Sequence, residues 1–330
     1  MRTLVRVSAL LSLVLFGSGC DESFNPKTAM EEQYVLQCFV RGGDGAPATV
    51  TAVLARTYDV NGFDPATNTV DPAIAGAEVK LTIDQKPYYL LGALRPSLDT
   101  DRYATRQWVY TNTVPPPKLD AAVVLSARLP NGKTLSAQTN VPRGRNFSNN
   151  YVFAAGITTH MNLEPGKPNW TVSWDNYDDT EVHLFVPRLT ITYTKAEGGD
   201  ETFGTVSVPL KYVSSGSGTI PIYPSLTTQK QCSFEFAALD SAMAQISGGD
   251  PDKKKFGVHA VLLEVIEYDL PLSKYFASIN GSLDQYSIRT DESVFSNVGG
   301  GIGIVGSFII HKIQFDLDPR YVYFYNYRYR

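Results

Sequence analysis

Cysteine is scarce in this chain, with three residues in 330, at positions 20, 38 and 232. So few cannot build the dense disulfide framework that small secreted domains use in place of a core. None has a second thiol or a histidine at the short spacing of a zinc site. Histidine is equally sparse, and His160, His183, His259 and His311 lie too far apart in sequence to form a local metal motif. No metal and no cofactor is expected. An excess of one charge is also missing, since 29 Lys and Arg against 33 Asp and Glu leave a formal net charge of −4. The cations are scattered except for Lys253-Lys254-Lys255, which follows the turn-rich Gly248-Gly249-Asp250-Pro251-Asp252 and reads as solvated loop. Nucleic acid therefore has no electrostatic footprint to bind. Beyond residue 16 there is no apolar run long enough to cross a bilayer as a helix.

What the sequence does have starts at the N-terminus. Arg2 and Arg6 precede the apolar run Val7–Phe16, which is short for a membrane span but fits the central region of a signal peptide. Gly17-Ser18-Gly19 then leads into Cys20. Small residues just ahead of a cysteine are what a lipoprotein signal peptidase accepts, so residues 1–19 read as a lipoprotein signal peptide and Cys20 as the lipidated residue. Gly17 stands where leucine is usual. Each buried acyl methylene is worth about 0.8 kcal/mol, and two or three chains together anchor firmly. Residues 20–30, with Asp21 and Glu22 beside the anchor, read as a tether.

The remaining chain carries 19 Tyr and 16 Phe with many Val and Thr, a composition that favours strands. Ala77, Val79, Leu81 and Ile83 alternate onto one face, and Asn131-Gly132 sits between two alternating runs as a hairpin turn. The expected fold is mainly β, with two immunoglobulin-like β-sandwich domains, at residues 31–142 and 151–330, and a linker between them. One or two short helices are expected in the second half. Phe236, Leu239, Met243 and Ile246 recur at helical spacing, with Ser233 as a candidate cap, and Leu272–Leu283 offers Tyr275, Phe276 and Ile279 as an inward stripe. Tyr321, Tyr323, Tyr325, Tyr327 and Tyr329 fall on one face of a strand at period two. They either cover the sheet or form an exposed aromatic strip for a glycan, a peptide or a partner barrel.

Motifs with catalytic meaning are weak. Gly301-Ile302-Gly303-Ile304-Val305-Gly306 matches the dinucleotide fingerprint in letters, but the β-branched residues after it deny the helix N-terminus that the pyrophosphate needs. Ser217 lies between two glycines without nucleophile-elbow spacing. Asp175, Asp178, Asp179 and Glu181 are acidic neighbours without the spacing of a calcium loop. Cys38 and Cys232 leave two alternatives open. A disulfide would close a loop of nearly two hundred residues and stabilise by about 5 kcal/mol in the chain-entropy picture. The other alternative is two buried thiols.

Leu272-Ser273-Lys274-Tyr275-Phe276 and Phe295-Ser296-Asn297-Val298-Gly299-Gly300-Gly301-Ile302-Gly303-Ile304-Val305-Gly306 resemble the signature of a Bacteroidetes lipoprotein family, domain of unknown function 4249. Val50–Arg56 and Gly76–Leu81 resemble its earlier strands in the same order, and Val305 stands where the family has an aromatic residue. The resemblance implies an envelope lipoprotein encoded near a TonB-dependent outer-membrane receptor. It supplies no catalytic residues. Asn297, Gly299, Gly300, Gly301, Gly303 and Gly306 are read as a structural motif. The leading expectation is a non-enzymatic accessory or ligand-binding protein. The alternatives are a surface hydrolase of glycans or peptides, which would need carboxylates or a Ser/His pair converging across strands, and an adhesin-like structural module.

Overall fold

The computed structural model describes residues 31–58, 70–96, 106–149, 151–153, 159–161, 168–175, 182–216, 218–280 and 295–330. Residues 1–30, which hold the expected signal peptide, Cys20 and the expected tether, lie outside them, as do residues 176–181 of the acidic run. Chain contacts separate a unit of residues 1–32 and 58–68 from a unit of residues 33–57 and 69–330. All strands and helices named below belong to the second. Among the described residues no helix is long and apolar enough to cross a membrane.

The first half supplies β1 (Tyr34–Arg41), β2 (Ala48–Arg56), β3 (Glu78–Ile83), β4 (Lys86–Pro96), β5 (Arg106–Val114), β6 (Ala122–Arg128) and β7 (Thr134–Asn140). Alternation places Leu36, Cys38 and Val40 of β1, Val79, Leu81 and Ile83 of β3, and Val123, Leu125 and Ala127 of β6 in the interior. The Asn131-Gly132 turn joins β6 to β7, with Gly132 at φ +85° and its N–H donating to the Leu129 carbonyl at 2.9 Å. Strand β4 changes partners along its length. Residues up to Leu90 pair with β3, and those from Leu91 onward pair with β5. Side chains of β1, β2 and β5 meet those of β3, β6 and β7 in one core, consistent with the expected sandwich.

The second half supplies β8 (Asn146–Asn149), β9 (Tyr151–Phe153), β10 (Thr159–Met161), β11 (Asn169–Asp175), β12 (Phe185–Glu197), β13 (Asp200–Val208), β14 (Lys211–Ser215), β15 (Gly218–Ile222) and β16 (Gln231–Glu235). Helix α1 (Phe236–Gln245), β17 (Phe256–Tyr268), α2 (Leu270–Asn280), β18 (Ile302–Phe315), α3 (Pro319–Phe324) and β19 (Arg328–Tyr329) complete it. The protein is mainly β. Its largest sheet runs β13-β12-β17-β18-β1-β2-β5-β4-β3-β6-β7, with β19 joining β17. The two halves expected as separate domains share this sheet, because β1 pairs in parallel with β18, from Val35 opposite Ile302 to Arg41 opposite Phe308.

Strand β17 is covered on both faces for most of its length, as is β18 from Ile304 to Ser307, whereas the end of β18 alternates, with Lys312 and Gln314 exposed. Val305 and Ile309 of β18 enter the first core, while Phe315 and the following Leu317 enter a second core with Trp170, Trp174, Phe185 and Phe234. Pro187 does not interrupt β12. It pairs with Val265 on the β17 side, and β13 begins pairing only at Leu189, so the missing N–H removes no ladder bond on that edge.

Several local expectations change. Cys38 lies in the first core and Cys232 in the second, and both are free thiols, so the disulfide alternative gives way to two buried cysteines. Burial pushes each thiol up to about 12. Ser233 does not cap α1. It belongs to β16, which stays paired as far as Glu235 opposite Asn169, and the Phe236 N–H finds the Pro168 carbonyl instead. In α2 the buried positions are Leu272, Ser273 and Ala277, while Ile279 is exposed. The tyrosine tail is not one strand. Asp318 caps α3 by accepting the Arg320 N–H at 2.8 Å, Pro319 starts it, and Asn326 ends the turn at φ +62°. The helix breaks the period of two, so Tyr327 is buried and Tyr323 is exposed. The Tyr321 and Tyr325 hydroxyls both donate to Asp240 Oδ1, at 2.6 and 2.8 Å, and Tyr327 donates to the Met243 carbonyl. The tail is therefore a clasp on α1.

Candidate functional site

The densest polar chemistry among the described residues lies at the end of β17. Glu267 and Asp269 are two residues apart, and both are almost fully buried. Burying a carboxylate is costly unless charge and hydrogen bonds answer it. Arg145, on the segment between β7 and β8, supplies the charge, with its Nε 2.8 Å and an Nη 2.7 Å from Glu267 Oε1. The guanidinium also stacks over Phe185, with its central carbon 5.3 Å from the ring centre. His311 of β18 places Nε2 3.0 Å from Glu267 Oε2. His183 places Nδ1 2.8 Å from the Tyr268 carbonyl and 4.0 Å from Glu267 Oε1. A carbonyl oxygen only accepts, so His183 Nδ1 carries a proton.

Asp269 sits just ahead of α2 and caps it, with Oδ1 accepting the Leu272 N–H at 2.8 Å. Its Oδ2 accepts the Thr139 hydroxyl at 2.5 Å, the Ser307 hydroxyl at 2.9 Å and the Ser307 N–H. The Ser307 hydroxyl lies 3.1 Å from the Asn140 carbonyl as well. One carboxylate thus ties β7, β18 and α2 together.

The two acids titrate in opposite directions. Burial pushes Glu267 up, but hydrogen bonds from His311 and Arg145 outweigh it and hold the carboxyl below its ordinary value. Burial also pushes Asp269 up, and its donors do not fully offset this. A depressed Glu267 contributes stability that is present above its unfolded value and is lost as pH falls through the folded one. Asp269 has the reverse sign, and its contribution fades as pH rises through its folded value. The stability gap between the parent and Glu267→Gln should therefore be widest at neutral pH and close on acidification. Urea midpoints of the two proteins across that range check this, and a gap that stays constant would show that Glu267 does not titrate in this way.

The glycine segment lies on the other flank of β18. Asn297 Oδ1 accepts the Val305 N–H at 3.0 Å, and its Nδ2 donates to the Val305 carbonyl at 2.7 Å, so the side-chain amide stands in for a neighbouring strand. Ser296 Oγ accepts the Gly303 N–H at 3.1 Å. Gly299 pairs with Ser136 in both directions and covers the edge of β7. A Cβ on Gly301 would strike the Tyr34 carbonyl, one on Gly303 the Leu36 carbonyl, and one on Gly306 the Leu272 side chain. Because β18 continues as a strand through this segment, no helix N-terminus follows the fingerprint-like glycines.

Among the sequence candidates, the structure brings His183 and His311 together around Glu267. His259 lies apart, with Nε2 3.2 Å from Thr194 Oγ1. His160 is in β10, its side chain outside the described residues. Arg145, Glu267, Asp269 and Asp240 were not singled out from sequence. The available signal was Glu267 and Asp269 in the apolar run Val261-Leu262-Leu263-Glu264-Val265-Ile266-Glu267-Tyr268-Asp269, since an acid inside a buried strand demands a partner. Among the described residues, no group of three or more His, Cys, Asp or Glu could hold a metal ion. No family model and no curated protein matches the chain.

Proposed function

We propose that this protein is exported, lipidated at Cys20 and held on the bacterial outer membrane, where it binds or hands on ligand beside a TonB-dependent transporter without transforming it. The observation that carries the reading is the N-terminal succession of Arg2 and Arg6, the apolar Val7–Phe16, Gly17-Ser18-Gly19 and Cys20, followed by a strand-built body from Tyr34. The acidic Asp21-Glu22 beside the anchor and the glycine segment at 297–306 support a Bacteroidetes-type envelope lipoprotein. The oxygens of Glu267 and Asp269 are committed to hydrogen bonds and ion pairs within the fold, which gives that cluster a structural role.

Cys20→Ala is expected to release the protein from the membrane fraction and to abolish acyl-chain labelling, as lipid is the proposed anchor. Mass spectrometry of the mature parent should find a diacyl or triacyl cysteine at its N-terminus. An unmodified Cys20 thiol would end this reading. Detergent extracts in which the protein never travels with an outer-membrane barrel would end the transporter partnership alone.

A further inference from the structure

We propose that the groove between α1 and the β14–β15 hairpin binds a short neutral saccharide of one or two rings. The hairpin register sets Tyr212 opposite Pro221 and Ser214 opposite Thr219, so Tyr212 and Thr219 share one face. That face lines the groove. From the helix come Ala237, Ser241 and Gln245, four residues apart and so on one side of α1. Ala238, Leu239, Ala242 and Met243 bury the opposite side in the second core. Glu235, just ahead of the helix, closes the lining. The cavity holds about 400 Å³. This is near the lower end of the roughly 300–1,000 Å³ of ligand sites. From Ala237 to Gln245 the helix rises roughly 12 Å.

The lining chemistry selects the ligand class. Gln245 Nε2 donates to the Tyr212 hydroxyl at 3.1 Å, which leaves its carbonyl oxygen as an acceptor. Ser241 Oγ donates to the Ala237 carbonyl at 2.8 Å and likewise retains acceptor capacity. Glu235 adds a carboxylate, and among the described residues no Lys or Arg lines the groove. The Tyr212 hydroxyl accepts the Gln245 bond and keeps its own O–H as a donor, and Thr219 adds a hydroxyl. A wall of mixed acceptors and donors with one carboxylate repels anions and suits a ligand rich in hydroxyl groups. The Tyr212 ring packs partly against the second core, and its remaining surface with the Ala237 methyl offers apolar contact to the C–H face of a sugar ring. A fatty chain would leave the polar wall without partners.

This site rests on the reading of the protein as a binder. The test is saturation-transfer NMR on the full chain with four neutral disaccharides (maltose, cellobiose, lactose and chitobiose), with spermidine as a cationic control. At least one disaccharide is expected to bind, and its affinity should be insensitive to salt. Gln245→Ala should weaken it about tenfold, as loss of one ligand hydrogen bond commonly does. Ser241→Trp, which fills the groove from the helix side, should abolish it while circular dichroism stays unchanged. Binding of none of the four, binding of spermidine alone, or binding that survives a folded Ser241→Trp overturns the proposal. If a disaccharide binds but is recovered cleaved, the site stands and the non-enzymatic reading fails. If no sugar binds while Cys20 is lipidated, the site fails alone.

Discussion

Gly303→Ala is expected to leave little folded protein. Gly303 sits at φ +124° in β18, directly opposite Leu36 of β1. An added Cβ there meets the carbonyl oxygen, carbonyl carbon and nitrogen of Leu36, all of them main-chain atoms in a central strand. A flexible side chain could swing aside, but a hydrogen-bonded strand with partners on both sides cannot. The backbone strain alone costs about 1–3 kcal/mol. Displacing β1 from β18 adds to this, and a total of about 4 kcal/mol or more takes most of the roughly 5–15 kcal/mol by which domains are stable. Gly132→Ala is the control. It also has positive φ, but nothing lies within 4 Å of its Cβ position, so the expected loss is about 1 kcal/mol. Urea unfolding followed by circular dichroism compares the two. Equal midpoints would mean that the β1–β18 contact yields more readily than its geometry implies.

Glu267→Leu is expected to destabilise by about 3–5 kcal/mol, the usual cost of leaving one member of a buried ion pair without the other. Arg145 has 2% of its side chain exposed, so its charge cannot reach water once the carboxylate is gone. His311 loses the acceptor for its Nε2 at the same time. Replacing both members, with Arg145→Met and Glu267→Leu together, removes the stranded charge and should recover a large part of the loss. A double-mutant cycle from urea midpoints reads the coupling directly. If the double variant is as unstable as the sum of the two single changes, the pair acts independently and the network description is wrong.

Both experiments probe places where sequence legibility differed. The strands of the first half could be read in advance because each buries one face, and Val79, Leu81 and Ile83 or Val123, Leu125 and Ala127 announce that by alternation. Positions 236–246 were readable as a helix for the same reason at a different period. The Ser233 cap was not, because cross-strand pairing of β16 with β11 outranks a local capping preference. The tyrosine tail misled because a regular spacing of large side chains looks like a strand, whereas Asp318-Pro319 supplied a helix start that carries more local information. The Glu267 cluster was half visible, as acids in an apolar run. Its partners come from residues 145, 183 and 311, and nothing local in the sequence says that these converge. The parallel meeting of β1 and β18 was invisible for the same reason.

That meeting constrains how the molecule can be assembled. The first strand finds one of its two neighbours only when almost the entire polypeptide has emerged, since Val35 waits for Ile302. Non-local pairings of this kind slow folding, because chain closure must come before the contact rewards it. A chain emerging N-terminus first therefore presents β1 with one edge open until synthesis nears its end. Under the export proposed above, such delay is compatible with threading through a translocation channel in an unfolded state.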